Sequence, residues 1–126
     1  VRAQRFYTKE QNGLTQPWKA STLFNNPPFS DPLVAQFGNR FLECAGFDFA
    51  QGILLVNAAT DTLWQQALLA RFPVCFPRRI AFLGPDNTPH KGNRFAQAIF
   101  YGSHPEASML PKFRKVFGQL GPVLVA

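Results

Sequence analysis

Asn26, Pro27, Pro28 and Phe29 place two hydrogen-bond acceptors and an aromatic ring on one short, stiff stretch. The apolar run Thr22-Leu23-Phe24 reads as a strand, and the paired prolines after Asn25-Asn26 cannot continue a central ladder. The strand is therefore expected to end at an exposed turn, with Asn26 on the rim of a sheet. Each proline fixes its own φ and biases the residue before it toward extended backbone, which holds Asn26, the Pro27 carbonyl and the Phe29 ring in one reproducible arrangement. Such a set suits a planar base that bears an exocyclic amino group. The lone pair of that nitrogen is delocalised into the ring, and acceptors that hold both N–H bonds let it pyramidalise and accept a methyl group. The Asn26 side-chain oxygen and the Pro27 carbonyl can take the two N–H bonds. Phe29 can stack on the ring, as aromatic plates do for bases taken out of the helix. The same residues also suit a plain strand-ending turn, because Asn-Pro pairs commonly open turns.

The elements that hold this rim follow from turn chemistry and apolar periodicity. Before it, Val1 to Trp18 has no sustained period and reads as an ordered loop or short strand anchored by Phe6, Tyr7 and Trp18. After it, Asp31 is placed to cap a helix with Pro32 at the first helical position, and Leu33, Val34, Phe37, Phe41, Leu42 and Cys44 recur at helical spacing before Gly46. Gly52 to Asn57 is a continuous apolar run too short for a helix, which predicts a strand buried on both faces and ending again at an asparagine. Thr60 or Asp61 can cap a second helix with Leu63, Trp64, Ala67 and Leu68 on its apolar face. Strand, helix, strand, helix in this order predicts a parallel sheet with crossovers. Val74-Cys75-Phe76 with Ile80 to Leu83 and then Phe95 to Tyr101 predict an antiparallel hairpin, whose long polar loop carries His90, Lys91 and Arg94. Phe113, Val116, Phe117 and Leu120 predict a closing amphipathic helix, with Lys112, Arg114 and Lys115 on its solvated side.

At 126 residues the chain reads as one domain, residues 1–126, with fourteen phenylalanines making its core unusually aromatic. No run approaches the ~20 apolar residues a membrane-spanning helix requires. No charged-then-apolar leader opens the chain, so a cytosolic protein is expected, with Cys44 and Cys75 as reduced core thiols. His90 and His104 sit in polar, Pro-adjacent loops, and no metal site is expected. A net charge of +6 points to a polyanionic partner, and Arg79, Lys91 and Arg94 are the candidate phosphate contacts. The hairpin loop reads equally as a solubilising tip. Since Val1 is the first residue and Met109 the only methionine, a processed chain or a piece of a longer protein is expected, the piece being preferred.

Asn25-Asn26-Pro27-Pro28-Phe29-Ser30 at a strand end resembles the (Asp/Asn)-Pro-Pro-(Tyr/Phe) motif of S-adenosylmethionine-dependent amino-methyltransferases. The wider pattern is similar to the phage-type Dam DNA N-6-adenine methyltransferases. It includes Arg5-Phe6-Tyr7-Thr8, Asn12-Gly13-Leu14 and Pro17-Trp18 before the motif, Leu54 to Thr62 with Trp64 after it, and Arg79 to Phe82 with Ala98 to Gly102 as a closing hairpin. The resemblance implies a three-layer, Rossmann-like α/β methyltransferase fold that lacks its N-terminal cofactor-binding strands. It implies methyl transfer from S-adenosylmethionine to the adenine amino group of double-stranded DNA. Asn26, Pro27, Pro28 and Phe29 would form the catalytic motif, with Asn26 also beside the cofactor. No Gly-x-Gly loop follows a strand in this chain, so cofactor binding by the chain alone is expected to be poor. An uncovered strand edge would favour a homo-oligomer or a missing N-terminal half as partner. The alternative is a catalytically inactive remnant that serves as a DNA-binding or assembly module.

Overall fold

The computed structural model describes residues 3–81 and 95–125. Its frame is a five-stranded sheet in the order β1-β2-β4-β3-β5, formed by β1 (Ala20–Asn25), β2 (Phe49–Asn57), β3 (Val74–Cys75), β4 (Gln97–Ser103) and β5 (Val123–Leu124). Helices α1 (Leu33–Cys44) and α2 (Leu63–Leu69) cover one face, and α3 (Leu110–Phe117) covers part of the other. Three layers are thus present, as expected. The parallel sheet is not. Only β1 and β2 run parallel, joined through α1, whereas β4 is antiparallel to both β2 and β3, and β3 is antiparallel to β5. The α2 connection does not return to the sheet as another parallel neighbour. Instead β3 lies beyond β4, and the segment that follows brings β4 back between β2 and β3.

The larger core fills the space under α1 and α2. Val34, Phe37, Phe41 and Cys44 repeat at helical spacing and meet Phe49, Leu54, Val56, Ala98 and Phe100 from the sheet. Phe41 sits at its centre, 5.3 Å from the Phe49 ring and edge-on to Phe72 at 5.7 Å. Both geometries favour the aromatic quadrupoles. Gly38 lets α2 approach α1, because a Cβ there would overlap the Trp64 ring. Gly38→Ala gains helix propensity of about 1 kcal/mol but forces Trp64 aside at about 1–3 kcal/mol, so we expect a net destabilisation near 1 kcal/mol in urea titrations.

The second core lies under α3, where Phe113 stacks on Tyr101 at 5.0 Å and Cys75 and Ile99 are buried. The Tyr101 hydroxyl accepts from Met109 N at 2.8 Å and donates to Gln51 Oε1 at 3.0 Å, which fixes the start of α3 on the sheet. Because α3 is short, β2 is not buried on both faces. Gly52, Leu54 and Val56 are buried, while Ile53 and Leu55 on the α3 side are half-buried. Burial pushes the thiols of Cys44 and Cys75 above their ordinary range, and both are free and buried.

Several local expectations are corrected. Pro32, not Asp31, occupies the α1 N-cap, and the first turn is closed by Val34 N donating to Ser30 O. Thr62 holds the α2 N-cap position, with its hydroxyl donating back to Ala59 O at 2.6 Å. Leu63 is 86 % exposed, and Gln65 takes the inward position with no exposed surface. Phe6 is 72 % exposed and anchors nothing in the core. Trp18 does anchor the N-terminal segment, buried in the core and donating through Nε1 to Gly13 O at 2.9 Å, and Arg40 adds bonds to the carbonyls of Gly13, Leu14 and Gln16 and stacks 4.3 Å over the Trp18 ring. Val116 and Leu120 stay exposed, leaving Phe113 and Phe117 to dock α3. The third strand comprises only Val74–Cys75. Ile80 and Ala81 are outside any strand, and Phe82 and Leu83 lie outside the described residues. No helix is long and apolar enough to cross a membrane among the described residues.

Candidate active site

Three strands end on one rim of the sheet. Asn25 pairs with Leu54, and Asn57 pairs with Gln97, so the C-terminal ends of β1 and β2 and the N-terminal end of β4 lie together. β1 forms its ladder with β2 alone among the described residues, which leaves its other side as an open sheet edge beside the rim.

Asn26 follows β1 directly and is exposed, and its side chain makes no hydrogen bond among the described residues. Pro27 is buried, yet its carbonyl accepts no backbone hydrogen bond from the described residues. Pro28 is exposed and Phe29 is half-buried. The turn is stiff because its φ angles are set by the two prolines, and it is seated because Pro27 packs inward. Two oxygen acceptors thus stand at the end of the parallel β1–β2 pair. No strand ladder consumes them.

The rest of the rim is made of amides that the sequence alone does not reveal. Gln65 reaches up from α2, donating through Nε2 to Asn57 O at 2.8 Å and accepting from Ala59 N at 2.9 Å through Oε1. It satisfies the two backbone groups that the end of β2 exposes as the chain turns away. Gln97, 1 % exposed, donates to Asn57 Oδ1 at 3.0 Å and to Phe95 O at 3.1 Å. Ala58 N donates to Ala96 O at 2.8 Å and closes the β2–β4 ladder at this end. A polar residue facing inward from an otherwise apolar helix gives no periodic signal. The available hint is that a strand ending at Asn57-Ala58-Ala59 must find partners for its backbone.

The candidate phosphate contacts are only partly in view. Arg79 is exposed and follows β3, whose register with β4 directs the chain toward the same rim. It stands on the far side of β4 and β2 from Asn26, three strands across the sheet. Its neighbour Arg78 is engaged with Gln119 O at 2.9 Å. Lys91 and Arg94 lie outside the described residues, as does His90.

Two cavities of about 370 Å³ each open at the opposite end of the sheet, around Gly46, Phe47 and His104. β2 runs from Phe49 to Asn57 between them and the rim, a span of about 25 Å. They are remote from Asn26. No group of three or more His, Cys, Asp or Glu residues is placed to hold a metal ion among the described residues.

Comparison with curated proteins and with solved structures finds no match. The family model of DNA N-6-adenine-methyltransferase (Dam) matches residues 1–108, which span β1 to β4 and include the whole rim. The chain belongs to the DNA N-6-adenine-methyltransferase (Dam) family.

Proposed function

We propose that the rim carrying Asn26 and Pro27 binds the exocyclic amino group of an adenine taken out of duplex DNA and prepares it for methylation. The observation that carries this reading is the pair of uncommitted acceptors, the Asn26 side-chain oxygen and the Pro27 carbonyl, at a strand end of a Dam-family chain. Each accepts one N–H of the amino group. Holding both bonds in place disfavours the planar, conjugated amine and favours the pyramidal one, whose lone pair is available to a carbon electrophile. As the nitrogen gains its new bond, the departing proton remains in contact with the acceptors that already hold it. Phe29 supplies the stacking plate for the base, and Phe in place of Tyr keeps that face.

The family implies S-adenosylmethionine, which supplies an electrophilic methyl group when bound. Among the described residues only Asn26 is assigned to it. The two cavities of about 370 Å³ lie at the opposite end of the sheet from Asn26, and the sequence has no Gly-x-Gly loop after a strand. For this reason we expect calorimetry on the chain alone to give weak or no binding of S-adenosylmethionine. Protein carrying this chain should transfer tritiated methyl groups to duplex DNA that contains adenine, and not to a duplex of guanine and cytosine only. Equal labelling of the two duplexes would contradict adenine as the target.

The net charge of +6 supports DNA as the partner. Arg79, Lys91 and Arg94 are the residues we assign to phosphates. Neutralising Lys91 and Arg94 together should flatten the plot of log affinity against log salt by about two units. An unchanged slope would remove them from the interface.

A further inference from the structure

The amide pair Asn57–Gln97 has a direction, and the backbone sets it. Gln97 Nε2 donates both to Asn57 Oδ1 and to the Phe95 carbonyl. Side-chain oxygen and nitrogen of an amide are told apart by their partners, and a carbonyl on the main chain can only accept. The nitrogen of Gln97 must therefore point at Phe95 O, and the group of Asn57 that meets the same nitrogen must be its oxygen. It follows that Asn57 Nδ2, with two N–H donors, is turned away from Gln97. It donates to none of the described residues, and Asn57 is only half-buried. Gln97 Oε1, by contrast, is buried and accepts no hydrogen bond among the described residues. An orphaned buried acceptor costs about 1–3 kcal/mol, a cost the fold carries while keeping Gln97 in this orientation.

The donor and the two acceptors lie on one rim of the sheet. β1 and β2 are parallel and their ladder ends with Asn25 opposite Leu54, so Asn26 and Pro27 leave β1 at the rim where Asn57 closes β2. Adjacent strands are about 4.8 Å apart, within the reach of one heteroaromatic ring. The rim therefore carries two acceptors and one donor on neighbouring strand ends.

We propose that Asn57 Nδ2 donates to the ring nitrogen next to the amino group of the bound base and selects a 6-aminopurine over a 6-oxopurine, with Gln97 as the positioning residue that holds Asn57 in that orientation. This inference rests on the reading of Asn26 and Pro27 given above. In adenine that ring nitrogen is an acceptor and matches the donor. In hypoxanthine the same nitrogen carries a proton and the neighbouring group is a carbonyl, so donor meets donor and acceptor meets acceptor. A site whose hydrogen-bonding groups are left unpaired by the wrong ligand discriminates strongly.

The test uses isotope-labelled full chain and two short single strands that differ in one base, adenine or hypoxanthine. With the adenine strand, the side-chain amide resonances of both Asn26 and Asn57 should shift, and affinity should exceed that for the hypoxanthine strand by at least about tenfold. Asn57→Asp replaces the donor with an acceptor of the same shape that Gln97 can still hold, and should lose or reverse the preference. Gln97→Glu, which removes the nitrogen that pins Asn57, should reduce the preference while leaving Asn57 present. If the Asn26 resonance moves but Asn57 stays still and Asn57→Asp keeps the adenine preference, the role of Asn57 is overturned and the base site at Asn26 stands. If neither resonance moves with either strand, the base site itself is wrong, and the inference falls with it.

Discussion

Replacing Asn26 with alanine should lower the rate of DNA methylation by on the order of a hundredfold or more while leaving the fold intact. Asn26 is exposed and holds no hydrogen bond among the described residues, so its removal takes little from stability. What it removes is one of the two acceptors fixed around the amino group. Loss of a single preorganised hydrogen-bonding partner from a developing charge costs about 10²–10³ in turnover elsewhere. Since the effect arises as the nitrogen pyramidalises, it should fall mainly on kcat and less on the apparent affinity for DNA. Phe29→Ala should show the opposite balance, because its ring contributes to holding the base. Unfolding curves for Asn26→Ala that superimpose on the parent, together with unchanged turnover, would remove Asn26 from the chemistry.

The second large effect belongs to a residue that never touches the substrate. Gln65→Leu keeps the volume of a fully buried side chain but deletes its bonds to Asn57 O and Ala59 N. Leaving such groups unsatisfied costs about 1–3 kcal/mol each, so we expect a loss near 3 kcal/mol, read as a fall in melting midpoint of about 10 °C. Its neighbour provides the control. Gln66 is exposed and makes one longer bond, 3.2 Å, to Thr60 O. Gln66→Leu should therefore stay within about 0.5 kcal/mol of the parent. Equal costs for the two substitutions would mean that the end of β2 is not held from α2.

Asn26 to Phe29 were legible because their information is local. Two prolines dictate the end of a strand whatever surrounds them, and the structure ends β1 at Asn25. The helical face of α1 was legible for a similar reason, since an apolar stripe at regular spacing reports burial directly. Gln65 and Gln97 were not, because a buried amide follows from which backbone groups a neighbouring strand leaves open. That depends on β4 lying between β2 and β3, an arrangement that no run of residues announces. The same cause accounts for the expected parallel sheet. An alternation of strands and helices fixes the first crossover, whereas the placement of β4 is settled by long-range pairing with two partners at once. Short strands such as Val123–Leu124 carry too few residues for any period to show.

Identification of the methylated atom tests the account most directly. Protein carrying this chain is incubated with adenine-containing duplex DNA and S-adenosylmethionine bearing an isotopically labelled methyl group, and the DNA is digested to nucleosides for mass spectrometry. The expected result is label in N6-methyldeoxyadenosine, reduced to about one hundredth by Asn26→Ala. Label on a ring nitrogen or a carbon of any base, or on N6 at the same level in parent and Asn26→Ala, would contradict the assignment of the Asn26 and Pro27 acceptors to the adenine amino group.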